Sequence, residues 1–317
     1  SGLPTFQGGT YQVKVTHTPS GQDRFQIVQV PKPRVLTRVL RVDGDYGNDT
    51  TGREWYLEWP FQTLQAALSH AHEGDVIEVY SAEVTSLHVD GSIVITNDLV
   101  TIAFKNNCTI RGNLILQGRG INIYGEATFL WGTLTVLSGA DFAQVNLQTI
   151  YASEVSPSGG ADATYDITDG IYINANDCIV NVDNLTWRID TAAGNNSGIR
   201  ILSALRASVT VTKQFNKIAS QDYTDNNAFV LMDFAFESSV DVSNVSEIST
   251  GDGAWLIRAG DTSGNTTPPT RQNANTVRFR GRCESGKMIS CIGAVGLIVI
   301  ADTLESLEDS YNVQNGH

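Results

Sequence analysis

The sequence predicts an all-β protein, a stack of parallel coils closed at its leading end by one short helix. Two regularities predict it: apolar-x-apolar runs recur at nearly constant spacing, and turn residues separate them. The third observation is an amphipathic stretch, "WPFQTLQAALSHAHEGDVIEVY", directly before the first clear strand.

In the first half, "VTIAFKNNCTIRGNLILQGRG" from Val100 is followed by "INIYGEATFLWGTLTVLSGAD" from Ile121 and "FAQVNLQTIYAS" from Phe142, a register of 21 residues. Each unit holds three short segments: Ile102 with Phe104, Ile110, and Leu114 with Leu116, then Ile121 with Ile123, Phe129, and Leu134 with Val136. Three strands per repeat is the pattern of a solenoid coil, which buries its apolar face by stacking on its neighbours. The second half keeps the pattern with longer loops. Its coils begin at Ile171, Ile199, Phe229, Trp255 and Met288, spaced 28, 30, 26 and 33 residues apart. Each has a second run, at Val180/Val182, Val209/Val211, Val240/Val242, Val277/Phe279 and Ile298/Ile300.

A stack of coils has two ends whose unpaired backbone and apolar interior template aggregation unless covered. Phe61, Leu64, Leu68 and Ala71 fall at i, i+3, i+7 and i+10 on one helical face, with Pro60 in the first turn and Gly74 near the stop. The spacing predicts a helix that lies as a lid on the first coil, ahead of the strand "VIEVY".

Composition narrows the partners. A chain of 317 residues with 41% hydrophobic and 17% charged residues buries a large core. A formal charge of -13 opposes nucleic acid, whose binders concentrate Lys and Arg, and repels anionic membranes and polyanionic glycans. A neutral sugar chain meets no such barrier. The longest apolar run, Met288 to Ala301, falls short of the roughly 20 residues that span a bilayer and reads as buried strand, so no membrane insertion is expected. Cys108, Cys178, Cys283 and Cys291 form no CxxC pair and are expected as reduced core thiols, with a Cys283–Cys291 disulfide as the alternative.

One segment carries a resemblance. From Leu40 to Tyr80 the chain holds Val42, Gly47, Asn48 and Asp49, then Pro60, Phe61, Thr63, Leu64 and Ala67, then Ala71, Gly74, Asp75, Ile77 and Val79. This resembles the leading segment of right-handed parallel β-helix proteins of the pectin-lyase-like superfamily, common in bacteriophage tailspikes and polysaccharide-degrading enzymes. The resemblance implies a right-handed parallel β-helix with three-strand coils and an N-terminal capping helix. It further implies a virion tailspike or fibre protein that binds a bacterial surface polysaccharide, contacts other virion proteins and forms a homotrimer. The superfamily's polygalacturonase-like set and its pectate-lyase-like R-x-P-x-x-R are both absent. A polysaccharide lyase or glycoside hydrolase is the alternative, and a purely structural virion component the second alternative.

Candidate site residues follow from the coil geometry. Equivalent positions in successive coils of a solenoid lie about 4.8 Å apart, and glycoside hydrolysis uses two carboxylates roughly 5 to 10 Å apart. The coil-closing loops contain Asp190, then Asp222 and Asp225, then Asp252, expected to stack along one edge as candidate catalytic groups. Trp187 and Tyr223 would line that groove, which suits sugar hydroxyls and C–H faces, or a calcium ion; no other cofactor is implied. Turn capping is the competing reading for these carboxylates. A second candidate glycan-binding cluster, Asp162, Asp166 and Asp169, sits in the long connection from Ser153 to Gly170. Asp43 to Asp49, "DGDYGND", looks like a calcium loop, but the helix context of an EF-hand is wrong here. It is read as a turn.

The expected organisation is an attachment or oligomerisation arm at 1–36, a leading strand and capping helix at 37–75, and the β-helix at 76–317. In the arm, alternation over Tyr11-Val13-Val15 and over Phe25-Ile27-Val28 predicts a hairpin.

Overall fold

The computed structural model describes residues 11–17, 23–29, 38–52, 59–80, 93–105, 108–125, 129–153, 169–189, 197–219, 227–248, 255–260, 274–285, 287–292, 296–306 and 311–314. The chain divides into two compact units, Ser1–Thr37 and Arg38–His317. In the first, β1 (Tyr11–His17) and β2 (Asp23–Gln29) form an antiparallel hairpin with Tyr11 opposite Gln29. The two alternating runs of the arm therefore pair with each other.

The second unit is a parallel β-helix. It begins with β3 (Val39–Val42), α1 (Leu64–His70), β4 (Val76–Val79) and β5 (Ile93–Ile95). Two three-strand coils follow: β6 (Thr101–Phe104), β7 (Thr109–Arg111) and β8 (Leu114–Leu116), then β9 (Asn122–Gly125), β10 (Phe129–Trp131) and β11 (Leu134–Val136). Thereafter a long strand alternates with a shorter one. These are β12 (Gln144–Ser153) and β13 (Asp169–Ile173), β14 (Ile179–Ile189) and β15 (Ser197–Leu202), and β16 (Ser208–Ala219) and β17 (Ala228–Asp233). The last are β18 (Ser239–Ile248) and β19 (Trp255–Gly260), β20 (Asn275–Ser285) and β21 (Lys287–Ile292), and β22 (Leu297–Ser306) and β23 (Tyr311–Gln314).

One sheet runs from β3 through β4, β6, β9 and the long strands to β22, with β7 and β10 beside it. The other runs from β5 through β8, β11 and the short strands to β23. At β12 two strands of a coil become one: Val145 pairs with Ile123 of β9, and Ile150 with Leu130 of β10. The long strands then bend at register shifts near Asp183, Lys213, Asn244 and Gly281.

In-register columns of aliphatic residues build the core. Leu40, Ile77, Ile102, Ile123, Val145, Val180, Val209, Val240 and Val277 stand beside one another in successive strands, and all are buried. Burying each such side chain is worth about 1.5–3 kcal/mol, so the column is a main source of stability. The ladders also correct the expected register at several places. Val299, not Ile298, continues the column beyond Val277, and Ile298 and Ile300 lie on the outer side, 56% and 40% exposed. In the second sheet Ile199 stands beside Val230, not Phe229, Val230 beside Ile257, not Trp255, and Ile257 beside Ile289, not Met288. Leu130, not Phe129, stands beside Ile110, and Val145 stands beside Ile123, 22 residues on, so that Ala143 and not Phe142 takes the place of Ile121. These errors fall in runs of consecutive apolar residues, where a period of two has no polar phase to read.

The helix closes one end. The second sheet begins only at β5, and α1, in the connection between β3 and β4, buries Leu64, Ala67 and Leu68 in the main core together with Phe61. The turn before it is held by backbone and carboxylate. The Asp49 carboxylate accepts the N–H groups of Gln62 (2.7 Å) and Thr63 (2.9 Å) and the Thr63 hydroxyl (2.9 Å), and Thr63 caps the helix by accepting from the Ala66 N–H at 3.1 Å. After it, buried Asp75 accepts from the His72 N–H at 2.7 Å and from Arg38 Nε at 3.1 Å. Gly47 is required because a Cβ there would lie 2.2 Å from the Phe61 carbonyl oxygen. The "DGDYGND" turn is thus accounted for by folding.

Replacing Gly47 with Ala forces backbone against backbone and is expected to cost about 2–3 kcal/mol of stability in urea unfolding, since overpacking at a fixed main chain has no relief. Cys108 and Cys178 are buried free thiols, and burial pushes the Cys178 thiol up to about 11. Neither is expected to react with iodoacetamide at pH 8 in the native protein, whereas both react in denaturant, as peptide mass mapping will show.

Candidate functional site

Of the sequence-derived candidates, Asp162, Asp166, Asp190, Asp222, Tyr223, Asp225 and Asp252 lie outside the described residues. Trp187 and Asp169 are described, and their fates differ. Trp187 is fully buried, edge-on to Phe229 at 6.5 Å, with fully buried Lys217 at 6.0 Å from its ring. It has no face to offer a sugar. The cause is the bend at Asp183: Val180 and Val182 point inward before it, and Leu185 and Trp187 after it, so the bulge switches the inward set from even to odd positions.

Asp169 lines a cleft. It opens β13, where its Oδ1 accepts the Ser197 N–H at 2.9 Å and its Oδ2 lies 3.5 Å from Arg200 Nη1. The Arg200 guanidinium sits over the Tyr172 ring at 5.8 Å, and its buried Nε has no hydrogen-bond partner. Asn113, Ile115, Thr133 and Thr135 complete a cleft of about 290 Å³ on the outer face of the second sheet. Asn113 Oδ1 accepts both the Thr133 N–H (3.0 Å) and its hydroxyl (2.9 Å).

The sequence signal for this cleft is the middle residue of each apolar-x-apolar run. Ile115, Thr135, Tyr172 and Arg200 are the x of "LIL", "LTV", "IYI" and "IRI", and the ladder sets them side by side on successive rungs about 4.8 Å apart. Loop carboxylates and inward positions carry the motifs legible in the sequence, and these outward positions belong to neither set.

The electrostatics of the cleft are unusual for a carboxylate. Burial raises the Asp169 carboxyl from its ordinary 3.8 to about 6, against the opposing pull of Arg200 and of the Ser197 hydrogen bonds. The result is a group that changes charge just below neutrality.

A second polar groove, about 420 Å³, follows the bend of the first sheet; apart from Gln148 Oε1, which is buried without a partner, its polar side chains engage one another from coil to coil. Asn181 donates to Asn146 at 2.8 Å, while Thr212 (2.6 Å) and Lys213 (2.7 Å) each take one Asp183 oxygen. These bonds join successive coils, so the groove reads as an inter-coil ladder. Among the described residues, no three His, Cys, Asp or Glu side chains gather as a metal site, and no helix is long and apolar enough to cross a membrane.

No protein-family profile matches the chain, and no curated protein or solved structure matches it either. The likeness of its leading segment to pectin-lyase-like β-helices rests on the motif residues alone.

Because Asp169 binds its proton more tightly folded than unfolded, its contribution to stability is complete below pH 4 and is lost as pH rises through 6. Asp169→Asn removes that loss while keeping an acceptor for the Ser197 N–H. Relative to wild type, the variant is expected to gain up to about 3 kcal/mol between pH 4 and pH 7 in urea unfolding.

Proposed function

We propose that this chain is a bacteriophage spike or fibre protein whose β-helix binds a bacterial surface glycan as a homotrimer. The cleft at Asp169 is the observation that carries the glycan reading. It combines an aromatic face (Tyr172), hydroxyls (Thr133, Thr135), an amide (Asn113) and a charge pair (Asp169, Arg200) on a rigid sheet. Sugars need both an apolar surface for their C–H faces and fixed donors and acceptors for their hydroxyls. The virion and the trimer rest on the resemblance of the leading segment. The charge of -13 supports a neutral polysaccharide over a polyanion.

One observation favours a second reading, cleavage of the glycan. A carboxyl raised to about 6 is suited to general-acid catalysis, and Asp169 would protonate the leaving oxygen. Such a reaction needs a second carboxylate opposite.

Surface polysaccharides of candidate hosts, incubated with the protein, test both readings. The expected outcome is retention of polymer without shortening, weakened about tenfold by Tyr172→Ala. Shortened chains with new reducing ends, lost in Asp169→Asn, would replace binding by catalysis. Failure to retain any polymer would leave a structural virion component. Light scattering is expected to give three times the 34.3 kDa chain mass, and a monomer would reject the trimer.

A further inference from the structure

One edge of the β-helix carries a row of left-handed residues. Where the chain leaves the second sheet and turns back toward the first, Leu99 (φ 55°), Gly120 (φ 64°) and Phe142 (φ 65°) hold equivalent places in successive coils. Their amides link coil to coil: Leu99 N–H donates to the Arg119 carbonyl at 2.7 Å, Gly120 to Asp141 at 2.8 Å, and Phe142 to Asn176 at 3.0 Å. Glycine or asparagine fits such a backbone, whereas a bulky side chain strains it.

Leucine and phenylalanine are therefore poor choices for folding here. Leu99 is 50% and Phe142 46% exposed, so half of each side chain gains nothing from burial to offset the strain. Strained residues of this kind persist where they serve binding. Between them Gly120 has no side chain, and a Cβ there would come within 2.6 Å of Leu99 Cδ2. The missing side chain leaves a notch of about 410 Å³ lined by Leu99, Gly120 and Phe142, with Arg119, Asp98 and Glu73 alongside. The Arg119 guanidinium lies over the Phe142 ring at 4.9 Å.

We propose that this notch is a second glycan subsite, shaped for a sugar unit that bears a methyl group, as 6-deoxy and N-acetyl sugars do. It rests on the glycan-binding reading of the cleft. Size decides against a protein partner, because a stable interface buries about 800 Å² on each side and this patch has two apolar side chains. The apolar walls take the methyl group and a C–H face; Glu73 and the Asp98 oxygen not engaged by the Arg119 N–H (Oδ1, 2.8 Å) accept from hydroxyls, and the Arg119 guanidinium donates. With two carboxylates against one guanidinium, the rim selects a neutral sugar over an acidic one.

The test compares sugars that differ at the methyl group: L-rhamnose with L-mannose, and N-acetylglucosamine with N-formylglucosamine, titrated by saturation-transfer NMR. At least one methyl-bearing member is expected to bind about fourfold more tightly than its twin, the value of one buried methyl. Phe142→Asn and Leu99→Asn, which suit the backbone, are expected to erase that preference with a Tm equal to or above that of the wild type. Equal binding of both twins, or a preference that survives both variants, overturns the proposal. So does a Tm lowered by both, which would assign the two residues to folding. Polymer retention abolished by Tyr172→Ala but untouched by Phe142→Asn overturns the notch and keeps the cleft. Absence of polymer retention by the wild type overturns the cleft reading and the notch with it.

Discussion

Parallel stacking requires each coil to place its aliphatic side chains directly beside those of the coil before it. The column from Leu40 to Val277 meets that requirement strand after strand. A slip of one residue would send a whole strand's apolar set outward, so register is the constraint on which the rest depends. The backbone follows from it. Coils of different length must return to the same register, and they do so by enlarging the connections between strands while the strand cores stay fixed.

The same constraint explains where the irregularities lie. Each long strand serves as two inward-facing runs joined at a bend, and the bends collect the extra residues, including Asn244 (φ 50°) and Gly281 (φ 73°). The turns that bring the chain back to the first sheet collect the positive-φ residues, whose amides bond to the next coil. Among the described residues, β3 is the first strand of its sheet, with none before it to stack on. There α1 supplies apolar surface in place of a strand, and the Asp49 and Asp75 carboxylates fix the helix's approach and exit. Fold-determining motif residues are concentrated in that segment, where the described strands offer no preceding rung to copy.

The coils were legible wherever polar residues marked the phase. Val180, Val209, Val240 and Val277 were read in the register they hold, since each is flanked by a polar or outward residue. Phase was lost in "LIVIA" and in β17, where every residue is buried and both faces of the strand are covered. Around the latter, Ala228, Leu231 and Trp255 form a separate apolar cluster, so Trp255, a coil start in the sequence, is buried outside the main core. Asp169 was named from the sequence, while its companions Tyr172 and Arg200 were not. A carboxylate in a long connection attracts notice by its residue type, whereas a tyrosine and an arginine centred in apolar runs acquire meaning only when the rungs are laid side by side. Trp187 failed for a related reason, because aromatic character says nothing about parity beyond a bulge.

The alternation that sends Ile171 and Ile173 inward and Tyr172 outward has an evolutionary consequence. Core packing and surface chemistry are written in interleaved letters of the same strands, each set free of the other's constraint. Mutation can rewrite the outer letters of β8, β11, β13 and β15 one rung at a time, changing the chemistry of the exposed face while the inner letters preserve the stack. The outer face can therefore diversify without first acquiring compensating changes in the core.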